Sequence, residues 1–319
     1  MGTRVMLRYR LPPGHTHTMT DVIGELVSSD AGAVSVRGRD GTLVQVAADR
    51  VVALKPLGPR PIRTSEIRSL EAAAADGWPG VEREGIDGWQ VRFGLGFTAR
   101  ANSAVPLEPG ASTAPETLAR ITTRYAARGL PPTLALPDRL GSAPAGWRTY
   151  NETAVMAADI SNLVLREGDS AITVSSEPSR QWLSCLYYQG RAAPAGAAEV
   201  VSAVRGGTLG FGMIGARSSS AAAVGRAAVT TAPDGRCWVG LTSLWVSPEH
   251  RRNGLGTLMC GELVRWGREH GATHAYLQVA VENTRAVALY RDLGFADHHR
   301  YRYARPESAM GPNPVGAVR

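Results

Sequence analysis

Lysine is almost absent from this chain. Of 35 Lys plus Arg residues only Lys55 is a lysine, so the formal charge of +7 is carried by arginine. The arginines are dispersed and form no basic block. That pattern disfavours a nucleic-acid footprint and fits a solvated basic surface that partly serves an anionic cofactor. Cysteine is scarce too: Cys185, Cys237 and Cys260 leave an odd thiol and have no metal-like spacing, which points to buried structural thiols. No apolar run is long enough to span a membrane. The N-terminal stretch MGTRVMLRYRLPPG lacks the apolar core of a signal peptide, so the expected compartment is the cytoplasm. With 44% hydrophobic and 20% charged residues over 319 positions, the remaining class is a soluble globular chain with room for two or three domains.

The most informative stretch runs from Val239 to Glu262, VGLTSLWVSPEHRRNGLGTLMCGE. Val239, Leu241, Leu244 and Val246 predict a strand ended by Ser247-Pro248. Leu255, Leu258, Met259, Leu263 and Trp266 then fall at helical spacing. The turn between them, Arg251-Arg252-Asn253-Gly254-Leu255-Gly256, places unpartnered backbone N–H groups at the positive end of a helix, which is a phosphate site. Glycine at 254 and 256 lets a ligand approach the backbone closely. No Gly-Lys-Ser/Thr follows, which excludes a Walker loop, and Gly-x-Gly-x-x-Gly is not matched at Gly254. A second stretch, residues 276–295, reads YLQVAVENTRAVALYRDLGF. It predicts a strand, a break at Asn283, a helix through Ala286, Leu289, Tyr290 and Leu293, and a stop at Gly294.

The two stretches together resemble the GCN5-related N-acetyltransferases, whose acyl-CoA motif is Arg/Gln-x-x-Gly-x-Gly/Ala. Arg251, Gly254 and Gly256 fill its fixed places, and Asn283, Ala286, Leu289-Tyr290 and Gly294-Phe295 fill those of the second motif. The resemblance is close over residues 238–305. It implies acetyl-CoA as co-substrate, no metal, and two parallel strands splayed at Leu241–Val246 and Tyr276–Val281. It further implies that backbone groups of Leu244, Trp245 and Val246 face the pantetheine and thioester. Those of Arg252, Asn253, Gly254, Leu255, Gly256 and Thr257 would hold the pyrophosphate, with Arg251 completing the motif. Asn283 would bond a pantetheine amide and Tyr290 would protonate the leaving thiolate. The plain alternative for Tyr290 is a core aromatic whose hydroxyl bonds a backbone group. Relatives often carry a Glu on the central strand, where this chain has Thr242 and Ser243. Glu282, Glu249 and Glu199 are candidate bases, and none is assigned, since water can serve.

Upstream, residues 4–57 read as four or five short strands with a hairpin signal at Asp40-Gly41. They resemble the SH3-like barrel that precedes some bacterial acetyltransferases. His15 and His17 form a His-x-His pair without a third ligand nearby, so an exposed loop is expected. Three prolines between Pro56 and Pro61 make a stiff linker. Residues 62–150 predict a helix from Thr64 capped by Ser65 or Thr64, a hairpin at Asp87-Gly88, an amphipathic helix ending at Gly129 and a strand at Thr133–Pro137. With no glycine turn of its own, this part resembles the degenerate first half of tandem acetyltransferase chains. Arg100 and Asn102 there line either an acceptor pocket or a structural turn. A hairpin is expected around Gly206-Gly207 and another at Asp234-Gly235, and a disordered tail from Pro306. The expected architecture is α+β, with a barrel at 1–57, a degenerate half at 58–150, the acetyl-CoA-binding domain at 151–305 and a tail at 306–319. The expected activity is acetyl transfer to a primary amine of a small molecule or protein, the acceptor being unknown and a homo-oligomer left open. The alternative is a non-catalytic acyl-CoA-binding regulator whose barrel binds a partner protein or nucleic acid.

Overall fold

The computed structural model describes residues 3–38, 40–58, 60–166, 172–188, 191–215 and 221–309. The chain forms two compact units, Met1–Pro61 and Ile62–Arg319. The first holds β1 (Arg4–Arg10), β2 (Met19–Ser29), β3 (Ala33–Gly38), β4 (Leu43–Ala47) and β5 (Val51–Pro56), ordered β4-β3-β2-β1-β5 and antiparallel. Alternation puts Val5, Leu7, Val34, Val36 and Val46 on one inner face. Among the described residues β4 and β5 do not pair, so the expected SH3-like barrel is an open five-stranded sheet. His15 and His17 are exposed, and no metal-binding group occurs among the described residues.

The second unit runs α1 (Thr64–Gly77), β6 (Glu82–Ile86), β7 (Trp89–Phe93), β8 (Ala104–Pro106), α2 (Pro115–Ala126), β9 (Leu134–Pro137), β10 (Trp147–Asp159), β11 (Ile172–Ser175), α3 (Arg180–Leu183), β12 (Tyr187–Tyr188), β13 (Arg191–Ala192) and α4 (Ala197–Val201). It continues with β14 (Thr208–Gly215), β15 (Ala221–Thr231), β16 (Cys237–Val246), α5 (Leu255–Glu269), β17 (His274–Ala280), α6 (Thr284–Asp292) and β18 (Ala296–Pro306). One eleven-stranded sheet, β11-β14-β15-β16-β17-β10-β18-β9-β8-β7-β6, runs through both the stretch expected as a degenerate half and the stretch expected as the acetyl-CoA-binding domain. The join is the antiparallel pairing of β9 with β18, Leu136 opposite Arg302. Among the described residues only β16/β17 and β8/β9 are parallel, each pair linked by a helical crossover.

Local chemistry sets the elements. β15 reads AAAVGRAAVTT and is buried along nearly its whole length, as a strand covered on both faces must be. Asp87 and Gly88 both take left-handed φ, 47° and 82°, making the tight turn between β6 and β7. The start of α1 departs from expectation: the N-cap is Arg63, and Glu66 reaches back to accept from its backbone N–H at 2.8 Å. The expected first arm of the Gly206-Gly207 hairpin is the helix α4, whose Val200 and Val201 pack beside Trp182 and Phe211. Of the expected tail, Glu307–Ala309 form a short 3-10 turn, and residues 310–319 lie outside the described residues. Among the described residues no helix is long and apolar enough to cross a membrane.

Two faces of this sheet matter below. Val239, Leu241, Leu277 and Val279 point toward Met259, Leu263 and Val264 of α5. Trp238, Tyr276, Tyr301 and Tyr303 point the other way, toward Leu70, Ala73 and Ala74 of α1. On that second face Gly240 leaves room for Tyr276: a Cβ there would overlap the ring. Gly240→Ala is therefore expected to cost about 1–3 kcal/mol of stability through overpacking, read as a lower urea midpoint at unchanged m-value.

Candidate active site

β16 and β17 pair in parallel from Trp238↔His274 to Leu241↔Leu277, and there the ladder stops. Each strand continues against its outer neighbour. β16 stays paired to β15 through Val246↔Ala223, and β17 to β10 through Ala280↔Thr153. Beyond Leu241 and Leu277 the groups each strand turns toward the other therefore have no strand partner. β16 also carries a bulge: Ser243 and Leu244 together oppose Gly225, and Ser243 takes a left-handed φ of 53°. The bulge bends β16 directly before Leu244, Trp245 and Val246, on the stretch that has lost its β17 partner.

The glycine turn closes one end of the gap. Arg252 and Gly254 adopt left-handed φ of 66° and 77°, and Gly254 is the N-cap of α5. Leu258 N–H is the first to find an intrahelical partner, Gly254 O at 3.0 Å. The amides of Leu255, Gly256 and Thr257 thus point out of the helix end, where an anion is favoured. Arg251, first residue of the motif, donates from Nε back to Val246 O at 3.2 Å, tying the turn to β16. Asn283 caps α6: its Oδ1 accepts from Ala286 N–H at 3.2 Å, leaving its amide nitrogen to donate elsewhere. Tyr290, two turns further on, packs edge-on against Phe295 with centroids 6.2 Å apart. Burial, with Cys260 close by, raises its hydroxyl above the usual phenol range, so it keeps its proton. Burial also pushes the Cys260 thiol up to about 12, which removes it as a nucleophile near neutral pH.

The three candidate bases do not converge here. Glu282, Glu249 and Glu199 are exposed. Bonds from its own backbone and from Ser247 hold the Glu249 carboxyl below its usual range. Asn102 resolves as a structural turn. Its Oδ1 accepts from Gly94 and Gly96 N–H at 2.8 and 3.2 Å, and its Nδ2 donates to Phe97 and Thr98 carbonyls at 3.0 and 2.8 Å.

Sequence reasoning missed a polar layer on the face opposite α5. Arg226 is wholly buried in β15. It donates to Val201 O at 2.6 Å, Gly77 O at 2.9 Å, Ala203 O at 2.8 Å and Thr242 Oγ1 at 3.3 Å. Burial lowers its pKa to about 9, so it remains a cation at neutral pH. Next along the face, His299 Nε2 lies 2.9 Å from Glu71 Oε1, both buried, and His298 Nδ1 lies 2.8 Å from His299 Nδ1. Signals existed for both: a lone charge inside the apolar run AAAVGRAAV, and Glu71 four residues after Ile67 on the apolar stripe of α1.

A sheet opened between two parallel strands, with a glycine turn on the crossover helix, is the fold of the GCN5-related N-acetyltransferases. The GCN5-related N-acetyltransferase from Kribbella flavida shares it, with a TM-score of 0.56 at 19% identity over 77% of this chain and 97% of that one. The chain belongs to the Rv0428c family of acetyltransferases of this type, since the family model described as probable histone acetyltransferase Rv0428c, C-terminal, matches residues 64–304. The Rv0428c N-terminal Sm-like domain matches residues 1–55, in keeping with the small antiparallel sheet there. The probable histone acetyltransferase Rv0428c of Mycobacterium tuberculosis is 40% identical over 309 residues, 97% of this chain and 96% of its own length. The uncharacterized N-acetyltransferase YobR of Bacillus subtilis is 29% identical over 75% of this chain and 99% of its own.

The imidazole of His298 yields a pH prediction. Burial first, then His299, depress its pKa from 6.5 to about 4. Between those values the unfolded chain binds a proton that the folded chain refuses. The stability it supports is whole above pH 6.5 and is lost as pH falls toward 4. At 1.36 kcal/mol per pKa unit the loss is roughly 1–3 kcal/mol. His298→Gln, which cannot titrate, should show a shallower fall of unfolding free energy over that window than the natural chain, measured by urea titration.

Proposed function

We propose that the chain transfers an acetyl group from acetyl-CoA directly to a primary amine. The gap after Leu241 and Leu277 carries this reading, because an added strand-like arm with amides would satisfy both open rows of backbone groups. The amides of Arg252 to Thr257 would hold the pyrophosphate, and Asn283 would donate to an amide of the arm. Backbone groups of Leu244 to Val246 would polarise the thioester carbonyl. The amine nitrogen attacks the acyl carbon and the C–S bond breaks. Tyr290 gives its proton to the departing sulfur, and the amine's proton leaves through water. Direct transfer is favoured over an acyl-enzyme because the buried Cys260 thiol stays protonated.

The unit β8–α2–β9 supports reading residues 58–150 as a degenerate copy of the working half. It repeats a parallel pair with a helical crossover, with one matched position, Ala104↔Leu134. Its loop offers no phosphate cradle, since Leu107 and Glu108 N–H both bond Gly88 O and Ala111 N–H bonds Glu108 O. The competing reading, a non-catalytic acyl-CoA-binding regulator, draws on the exposed positions of Glu199, Glu249 and Glu282. The Mycobacterium tuberculosis relative is named a probable histone acetyltransferase, which puts histone-like amines on the panel of acceptors to be tried beside small amines.

Thiol release from acetyl-CoA with a panel of amines separates the readings: sustained release establishes transfer, and tight binding without release establishes the regulator. Two variants assign the parts. A Cβ at Gly256 meets Leu289 and Val246 at ordinary distances of 3.5 and 3.9 Å, and an Asp in the first turn suits the helix dipole. Gly256→Asp should therefore fold normally yet weaken acetyl-CoA binding at least tenfold, about 1.4 kcal/mol, by calorimetry. Undiminished affinity would remove the turn from the cofactor site. Tyr290→Phe keeps the ring and should lower turnover by around 10²-fold with acetyl-CoA affinity unchanged. Near-normal turnover, where chemistry limits the rate, would leave Tyr290 a packing residue.

A further inference from the structure

We propose that the acceptor amine carries a carboxylate, and that Arg100 receives it on the sheet face opposite α5. The proposal rests on the acetyltransferase reading and names its substrate class.

The loop that presents Arg100 is rigidly built. Between β7 and β8 the chain passes through left-handed φ at two non-glycine residues, Leu95 at 54° and Thr98 at 61°. Such conformations persist where the surroundings over-determine them. Here the Asn102 side chain does so, bonding five backbone groups: it accepts from the N–H of Gly94 and Gly96 and donates to the carbonyls of Gly94, Phe97 and Thr98. Ser103 Oγ donates to Arg100 O at 3.2 Å. The guanidinium carbon of Arg100 then sits 5.9 Å from the centroid of Trp78. Its positive charge is felt by Tyr301, Tyr303 and Tyr276, whose rings lie on the same face. Tyr276 opposes Gly240 in the parallel ladder, one position before the strands part. Arg100 therefore shares the sheet face that bears Thr242, near the rung before the strands part, and shares the Trp78 ring with Arg226, the residue that bonds Thr242.

The charges there do not balance. Arg226 stacks on the same Trp78 ring at 4.7 Å. Arg92 is buried beside Ser103, donating to its carbonyl and hydroxyl at 3.2 and 3.1 Å. None of the three pairs with a described carboxylate. The two nearest carboxylates are committed elsewhere, Glu71 to His299 at 2.9 Å and Asp76 to Arg83 at 2.7 Å. Arg226 and Arg92 spend their donors on carbonyls and hydroxyls. Arg100 differs: its Nε is buried without any hydrogen-bond partner, while the residue keeps some exposure. A buried donor left unpaired is costly, and a planar guanidinium with unspent N–H groups matches a carboxylate in a two-point bond.

The same field speaks against a cationic acceptor. Three arginines that outnumber the carboxylates around them repel an ammonium-rich peptide and admit an amine whose molecule brings its own negative charge. An amino acid, or another small amine with a carboxylate a few bonds away, meets that requirement. It also enters with the amine easier to deprotonate, because neighbouring positive charge disfavours the ammonium form.

Matched acceptors test this. Amino acids and their carboxamides present the amine with and without the carboxylate charge, and their rates are compared per unit of neutral amine because the carboxamides lose the ammonium proton more readily. With saturating acetyl-CoA, the natural chain should use the acid at least about tenfold better in kcat/KM, the worth of a charge-assisted bond. Arg100→Gln should erase that preference through KM while acetyl-CoA affinity stays unchanged, and Arg100→Lys should keep part of it. Equal or better use of the amides by the natural chain overturns the proposal, as does a preference that survives Arg100→Gln. If Arg100→Gln does not fold, the acid–amide comparison in the natural chain decides. Should no amine release thiol although acetyl-CoA binds, the transfer reading fails. Calorimetry of the same amino acids on the acetyl-CoA complex then decides the carboxylate site: binding of the acids over the amides upholds it, and no such difference overturns it.

Discussion

The interruption of one hydrogen-bond ladder organises this molecule. A parallel pair in the middle of a large sheet would ordinarily run to the ends of its strands, because each unpaired buried amide or carbonyl is costly. Here β16 and β17 part after Leu241 and Leu277, and the strands outside them do not follow. β15 and β10 hold their partners in register past the opening, so the gap is a fixed feature and not a frayed end. The bulge at Ser243 bends β16 just where the two strands part. α5 begins at the glycine turn directly after β16, and α6 begins at Asn283 directly after β17. Two helix N-termini thus open onto the same side of one gap.

The face away from α5 is held by a different device. Arg226 sits where two helices end: Gly77 is the last residue of α1 and Val201 the last of α4, with Ala203 just beyond it. Helix C-termini carry partial negative charge and unbonded carbonyls. One buried guanidinium satisfies them and is itself stabilised by them, without a carboxylate. A methionine of similar length would leave those carbonyls unpaired in the interior, so the arginine is explained by packing two helix ends against one strand. Its last donor reaches Thr242, the first residue of β16 past the ladder. The scaffold and the opening are thereby linked through a single side chain.

What the sequence made legible was what is local. The glycine turn, the Asn283 cap and the Gly294 stop are set by residues a few positions apart, and each stands where its chemistry places it. The misreadings are of two kinds. The stretch AAEVV was expected as a strand because Gly206-Gly207 follows it, whereas its alanines favour helix and its valines bury against Trp182. The pairing of β9 with β18 joins residues more than 160 positions apart, and no periodicity announces it. The Glu71–His299 contact is equally non-local, though the spacing of Glu71 on α1 and the alternation of His299, Tyr301 and Tyr303 on β18 placed both on inward faces. Asn102 shows the limit from the other side: its type and neighbourhood suited a pocket or a turn equally, and only its five backbone bonds reveal a clamp.

The missing base and the surplus arginines are two aspects of one arrangement. A carboxylate on β16 at the position of Thr242 would lie within bonding reach of Arg226, whose Nη1 is 3.3 Å from the Thr242 hydroxyl. In that low-dielectric layer the two would form an ion pair, and a paired carboxylate is a poor proton acceptor because the cation holds its pKa down. A glutamate there would consume the charge that shapes the face without gaining basicity. On the proposed reading the chain takes another route to a neutral amine. Positive charge around the pocket lowers the cost of losing the amine's proton, water carries it off, and Tyr290 on the far side of the acyl group supplies the proton that the sulfur needs.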